Sequence, residues 1–304
     1  QMQKGGYKMN HHFQTSQRLQ KYLIDIIKSA LSSSATNSVE INTNLDCNVP
    51  EKDIHKIAGP FIDEWTYEIF NRASSTHTNI KSVTSKESSS LEDIYISLEL
   101  DGITYDILID VKSASLAKGN NAGKGSNLTS FRKIRPFYIN NPDAFFFILS
   151  IEHQSIINNN KCYGFHLVDC NIFDLKYVSK NELKFNTAMG DQFQISNSMK
   201  VTQTERTTDE FIALIDNMFL DKYTQDKLDK LIATEEANHY TALISEYIIN
   251  ILSENEPLAK TNILFYLEKL YPNISSTQLN KSIKLLKDSN RIQTINRIDY
   301  IIVK

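Results

Sequence analysis

The chain has 304 residues, 41% hydrophobic and 23% charged, with a net charge of −3. That mixture excludes a fibrous or low-complexity protein, and the length allows two domains. No apolar run approaches the ~18 residues of a membrane helix, and no secretory signal is evident. Three cysteines (Cys47, Cys162 and Cys170) without metal-type spacing point to a reducing, cytoplasmic setting rather than a disulfide framework or a zinc site.

In chain order, the opening QMQKGGYKMNHH lacks periodicity and reads as disordered, with His11-His12 as tail rather than ligand. Gln17 to Leu31 reads as a helix. Ser32–Ser38 and Ser82–Ser90 read as loops. Asp53 to Ala73 reads as an amphipathic helix, because Ile54, Ile57, Phe61, Trp65, Ile69 and Phe70 recur at helical spacing. Gly59-Pro60 marks its alternative start. Glu64 and Glu68 share a face of this helix.

Asp93 to Lys112 reads DIYISLELDGITYDILIDVK, two alternating strands around an Asp101-Gly102 turn. A two-residue loop there pairs Leu100 with Ile103 and puts Asp93 directly across from Asp110. Opposed side chains in such a pair are roughly 4.5–5.5 Å apart at Cβ, and like charges there repel. Period-two alternation puts Asp106, Asp110 and Lys112 on one face and Ile103, Tyr105, Ile107, Ile109 and Val111 on the core face. Two facing acids are best tolerated with a divalent cation between them.

From Asp110 to Asn140 there are six basic residues (Lys112, Lys118, Lys124, Arg132, Lys133 and Arg135) against one acid. A basic, Gly/Asn-rich stretch beside an acidic cluster suits a phosphodiester backbone passing a metal. Ala144 to Ile151 reads as a buried strand. The segments CYGFHLVDC, FDLKYVS, ELKFNTA and DQFQISN read as strands that extend the sheet, and Thr207 to Ala237 as a helical link. TALISEYIINILSENEP, KTNILFYLEKLYP and STQLNKSIKLLKDSN read as three helices, and RIQTINRIDYIIVK as two short strands. The segment from Pro257 onward carries eight basic residues and three acids. There is no internal repeat, phosphate-binding loop or dinucleotide fingerprint.

The hairpin resembles the PD-(D/E)XK nuclease superfamily, with Asp93 as the first acid and Asp110-Val111-Lys112 as the closing triplet. Glu92 stands where a proline would precede the first acid. The resemblance implies a restriction-endonuclease-like α/β core, a mixed sheet flanked by helices, over residues 1–237. It implies Mg²⁺ held by Asp93, Asp110 and the Val111 carbonyl, with Lys112 at the attacking water. It also implies a glutamate from the preceding helix, with Glu64 placed ahead of Glu68. Lys118, Lys124, Arg132, Lys133 and Arg135 would follow the DNA backbone.

Residues 238–304 resemble an α+β winged helix. Its third helix would present Gln278, Asn280, Lys281 and Lys284 to the major groove, and its wing Arg297. The combination resembles type II restriction endonucleases, including a methyl-adenine-directed kind. It implies double-stranded DNA as substrate, a homodimer as the assembly and methylation sensing as an option. Two other readings remain at this level: a transposon-associated endonuclease, and a non-catalytic DNA-binding regulator.

Overall fold

Asp101 and Gly102 both have positive φ, 54° and 76°, the backbone of a type I′ hairpin turn. They fix the register of β3 (Ile94–Leu100) against β4 (Ile103–Ser115). Leu100 faces Ile103 and Ile94 faces Ile109, as the sequence predicts. The computed structural model describes residues 3–41, 57–85, 90–116, 125–159, 161–255, 257–271, 274–295 and 299–303. The chain divides into two units, Gln1–Lys222 and Tyr223–Lys304.

The first unit is built on a six-stranded mixed sheet. Its other strands are β1 (Ser38–Glu40), β2 (Ile80–Ser85), β6 (Phe145–Asn158) and β7 (Lys161–Asp174), in the order β1-β7-β6-β4-β3-β2. β6 runs parallel to β4, from Ile107↔Phe145 to Ser115↔His153. The other sheet neighbours are antiparallel. The crossover from β4 to β6 contains β5 (Ser126–Ser130) and α3 (Phe131–Asn140). Two helices, α1 (Gln3–Leu31) and α2 (Ala58–Ser74), cover one sheet face. Leu19, Leu23 and Ile27 of α1 and Ile62, Trp65, Ile69 and Phe70 of α2 share a core with Ile94, Ile96, Ile107, Ile109, Val111, Phe147 and Leu149. On the other face, Phe137 of α3 packs against Phe146 of β6 with ring centroids 5.7 Å apart. α4 (Thr208–Leu220) closes over α3 by stacking Phe219 on Phe131.

Several expectations shift. Residues from Gln3 to Asn10 continue α1, and His12 is docked rather than tail. The His12 ring stacks on Phe145 at 4.5 Å and its Nδ1 meets the Tyr177 hydroxyl at 2.7 Å. Pro60 does not break α2, because it lies in the first turn, where an N–H has no helical partner to lose. Ser82 to Ser85 belong to β2, an edge strand whose exposed polar side chains made it read as a loop. Of the middle strands, only β7 extends the main sheet. β8 (Leu183–Asn186) and β9 (Gln192–Ile195) form a separate sheet with β5, in the order β5-β9-β8.

The second unit runs helix, strand, helix, helix, strand, strand. These are α5 (Gln225–Asn255), β10 (Leu258–Ala259), α6 (Lys260–Leu270), α7 (Ser276–Asp288), β11 (Ile292–Ile295) and β12 (Asp299–Ile302), with sheet order β10-β12-β11. Ile244, Ile248, Leu252, Ile263, Leu267, Leu279, Ile283 and Leu286 make its core. The expected boundary at 237/238 falls inside α5, a single helix that begins at Gln225.

Gly164 in β7 has φ +139°, and a Cβ there would collide with the main-chain oxygen of Val39 in β1. Gly164→Ala should therefore detach β1 and destabilise the first unit by about 2 kcal/mol, within the usual range for backbone strain and clash. Urea denaturation of the purified variant measures it.

Candidate active site

Asp93 sits one residue before β3, just past the last ladder pair, Ile94↔Ile109. Its N–H donates to the Ile109 carbonyl at 2.9 Å. Its Oδ2 accepts from the Val111 N–H at 2.7 Å, which fixes the carboxylate beside Asp110. Asp110 is only 6% exposed, and its Oδ1 receives the Lys112 ammonium at 2.5 Å. Burial and the Asp93 carboxylate push Asp110 up to about 7, against the opposing pull of Lys112. The structure thus brings Asp93, Asp110 and Lys112 together, with Asp93 held through the Val111 N–H rather than by a ladder pair with Asp110.

Of the acids on α2, the one that feels the Asp93–Asp110 pair is Asp63 rather than the expected Glu64. Glu64 is exposed and Glu68 is ion-paired to Arg72 at 2.5 Å. Asp63 takes the place. It is half-buried, and its carboxyl is pushed up to about 7 by burial and by Asp93 and Asp110, with Lys112 opposing. The difference is helix phase. The buried stripe of α2 is Ala58, Ile62, Trp65, Thr66, Ile69, Phe70 and Ala73. Successive residues turn by about 100°, so Asp63 borders that stripe and Glu64 points away from it. Phe61, counted as core from sequence, is 39% exposed and shifted the predicted face. A wheel that includes Thr66 and Phe70 on the buried side places Asp63 at its border.

Among the described residues, no three His, Cys, Asp or Glu side chains already stand gathered around a metal position. The donor set still fits a hard divalent cation. Two opposed carboxylates, a nearby third acid and the Val111 carbonyl all offer oxygen, and mutual repulsion leaves the acids short of positive charge.

The expected DNA contacts divide. Lys133 is exposed, and the exposed Arg132 lies 3.6 Å from Asp191. Arg135 is a correction: it is 6% exposed, and its Nε and Nη2 donate to the two Asp216 oxygens at 2.7 and 3.2 Å. A buried two-pronged pair of this kind ties α3 to α4 and leaves the guanidinium unavailable to phosphate. Gln278 is also committed. Its Oε1 accepts from the Ser275 N–H at 2.8 Å, in the capping box that starts α7. Asn280, Lys281 and Lys284 are exposed along α7. Lys118, Lys124 and Arg297 lie outside the described residues. Asp106, four residues before Asp110, accepts from the Tyr95 hydroxyl.

A cavity of about 580 Å³ lies elsewhere. It is lined by His12, Tyr105, Phe145, Lys176, Tyr177 and Thr208, among others. Tyr105 is five residues from Asp110, roughly 17 Å along the strand, and on the opposite face.

The sequence profile of the type II restriction endonuclease HpaI family matches residues 4–254. The type II restriction enzyme HpaI of Haemophilus parainfluenzae is 33% identical over 184 residues, which are 58% of this chain and 72% of that enzyme. Among the described residues, no helix is long and apolar enough to cross a membrane.

Two predictions follow from Asp63. Asp63→Asn should cut the rate of DNA cleavage by an order of magnitude or more, whereas Glu64→Gln should cut like wild type in the same assay. The pH dependence has a definite sign. Asp63 holds its proton more tightly folded (about 7) than its ordinary 3.8. Its cost to stability is therefore absent in acid, grows as pH rises and is complete above neutrality. In EDTA, Asp63→Asn should raise the melting temperature at pH 8 and leave it nearly unchanged at pH 4, as read by thermal denaturation.

Proposed function

This chain belongs to the type II restriction endonuclease HpaI family and is a site-specific deoxyribonuclease, and from that premise we propose that Asp93, Asp110 and Lys112 hydrolyse the phosphodiester bond with Mg²⁺. The observation that carries this reading is the closeness of the Asp93 and Asp110 carboxylates, with Lys112 bonded to the buried acid. It supports a site of the PD-(D/E)XK kind. Asp93 and Asp110, with the Val111 carbonyl, would hold the cation, and Asp63 would support it from α2. Bound there, Mg²⁺ would supply Lewis-acid stabilisation of the phosphorane charge and acidify a water. Lys112 orients that water or balances the developing charge. The Val111 N–H keeps the Asp93 carboxylate aimed at its partner.

The second unit supports a reading as a winged helix. Its element order, the β10-β12-β11 pairing and the exposed Asn280, Lys281 and Lys284 on α7 all suit a helix entering the major groove. Arg132 and Lys133 would follow the backbone beside the catalytic hairpin. Cutting both strands of a palindromic site calls for two copies of the site, so a homodimer is the assembly we propose.

Asp110→Ala should abolish cleavage yet retain duplex binding, because losing a carboxylate also relieves repulsion toward phosphate. Lys112→Ala should bind and fail to cut. Wild-type cleavage that persists in excess EDTA would overturn the metal chemistry. Replacing Lys281 and Lys284 together with Ala should weaken binding and reduce the salt slope by roughly one unit per lost phosphate contact, measured by titration at several salt concentrations.

A further inference from the structure

Lys112 has a neighbour that the chemistry above does not use. In the parallel β4–β6 ladder, Lys112 is in register with Ser150, so the two side chains leave the sheet on the same face. Strands in a sheet lie about 4.8 Å apart, well within the reach of a lysine. Ser150 is fully buried, 0% exposed, and its Oγ has no hydrogen-bond partner in the structure. A buried hydroxyl without a partner costs stability, and alanine would remove that cost. Such a group calls for an explanation.

The sheet order supplies one. β4 lies between β3 and β6, so Ser150 is on the side of Lys112 away from Asp93. In the structure the ammonium rests on Asp110 at 2.5 Å. A divalent cation on Asp110 takes that acceptor away and repels the ammonium as well. The side chain then needs an acceptor displaced from the carboxylate pair but still on the catalytic face. Ser150 offers one, and Glu152, two residues on and only 7% exposed, adds negative charge along the same face.

We propose that Ser150 is a positioning residue: its Oγ accepts the Lys112 ammonium when a divalent cation occupies Asp110, and so holds Lys112 at the attacking water. The inference rests on the metal-and-lysine reading of Asp110 and Lys112. The hydroxyl is unpaired in one state so that it can be paired in the other. Ser150 does not touch substrate and acts only through Lys112.

The test uses the full chain with Ser150→Ala and Ser150→Thr. In EDTA, Ser150→Ala should melt at or above the wild-type temperature and bind duplex DNA with wild-type affinity. The Mg²⁺ concentration that gives half of the Mg²⁺-induced rise in melting temperature should increase, because freeing Asp110 becomes harder. Single-turnover cleavage at saturating DNA should fall about tenfold, the size expected for one hydrogen bond to a charged group. Ser150→Thr, which keeps a hydroxyl, should recover much of both. In a Lys112→Ala background, Ser150→Ala should leave the Mg²⁺ midpoint where it was. A Ser150→Ala protein with wild-type rate and midpoint overturns the proposal, as does one that melts several degrees lower in EDTA, which would make the hydroxyl structural. If Lys112→Ala itself cuts at the wild-type rate, the metal-and-lysine reading fails and takes this inference with it. A dead Lys112→Ala beside an unaffected Ser150→Ala overturns this inference alone.

Discussion

The opposition of two carboxylates across a hairpin is the constraint on which the rest of this protein turns. It follows from a backbone fact, the left-handed conformation of Asp101 and Gly102. A two-residue turn sets the register as far as Ile94↔Ile109, and the Val111 N–H then holds the Asp93 carboxylate beside Asp110. A slip of one residue would invert the faces of β4 and put Asp110 into the core. The apolar face of that strand guards against this. Ile107, Ile109 and Val111 are buried against α1 and α2, so the hydrophobic burial that holds the sheet together also holds the acids in place.

The site is built at a cost to the cation-free fold. Asp110 and Asp63 are both pushed up to about 7, each first by burial. A single lysine in contact with Asp110 offsets only part of the charge gathered by three acids. Buried like charges are tolerated where function needs them and the surrounding structure over-determines the geometry. Here the over-determination is visible. Asp93 is held by the Val111 N–H, and β4 is paired on both edges.

The sequence carried those parts of the molecule that depend on short-range rules. The Asp-Gly turn, the hairpin register, the buried strand β6 and the three helices of the second unit were all legible, because turn chemistry and apolar periodicity specify them locally. What it hid depended on tertiary packing. The choice between Asp63 and Glu64 turns on which side of α2 meets the sheet, and the predicted face counted the exposed Ile57 and Phe61 while leaving out the buried Thr66 and Ala73. Arg135 looked like a phosphate ligand within a basic run, because its partner Asp216 is 81 residues away in sequence. Gln278 looked like a base reader because its capping role depends on where α7 begins. Edge strand β2 carries so little apolar surface that it read as a loop.

These features bear on how such an enzyme meets DNA. A duplex brought to the cation-free site would add phosphate charge to three clustered acids, so repulsion falls on the point where chemistry is to occur. On the reading proposed above, the exposed Arg132 and Lys133 would favour the backbone at the flanks instead. A divalent cation held by the acids would reverse the sign of that interaction locally, since its charge offsets theirs and suits a phosphate. Binding by the flanking bases and engagement of the reacting phosphate would then be separable events with different ionic requirements, and the Asp93–Asp110 pair would gate productive contact as well as support hydrolysis.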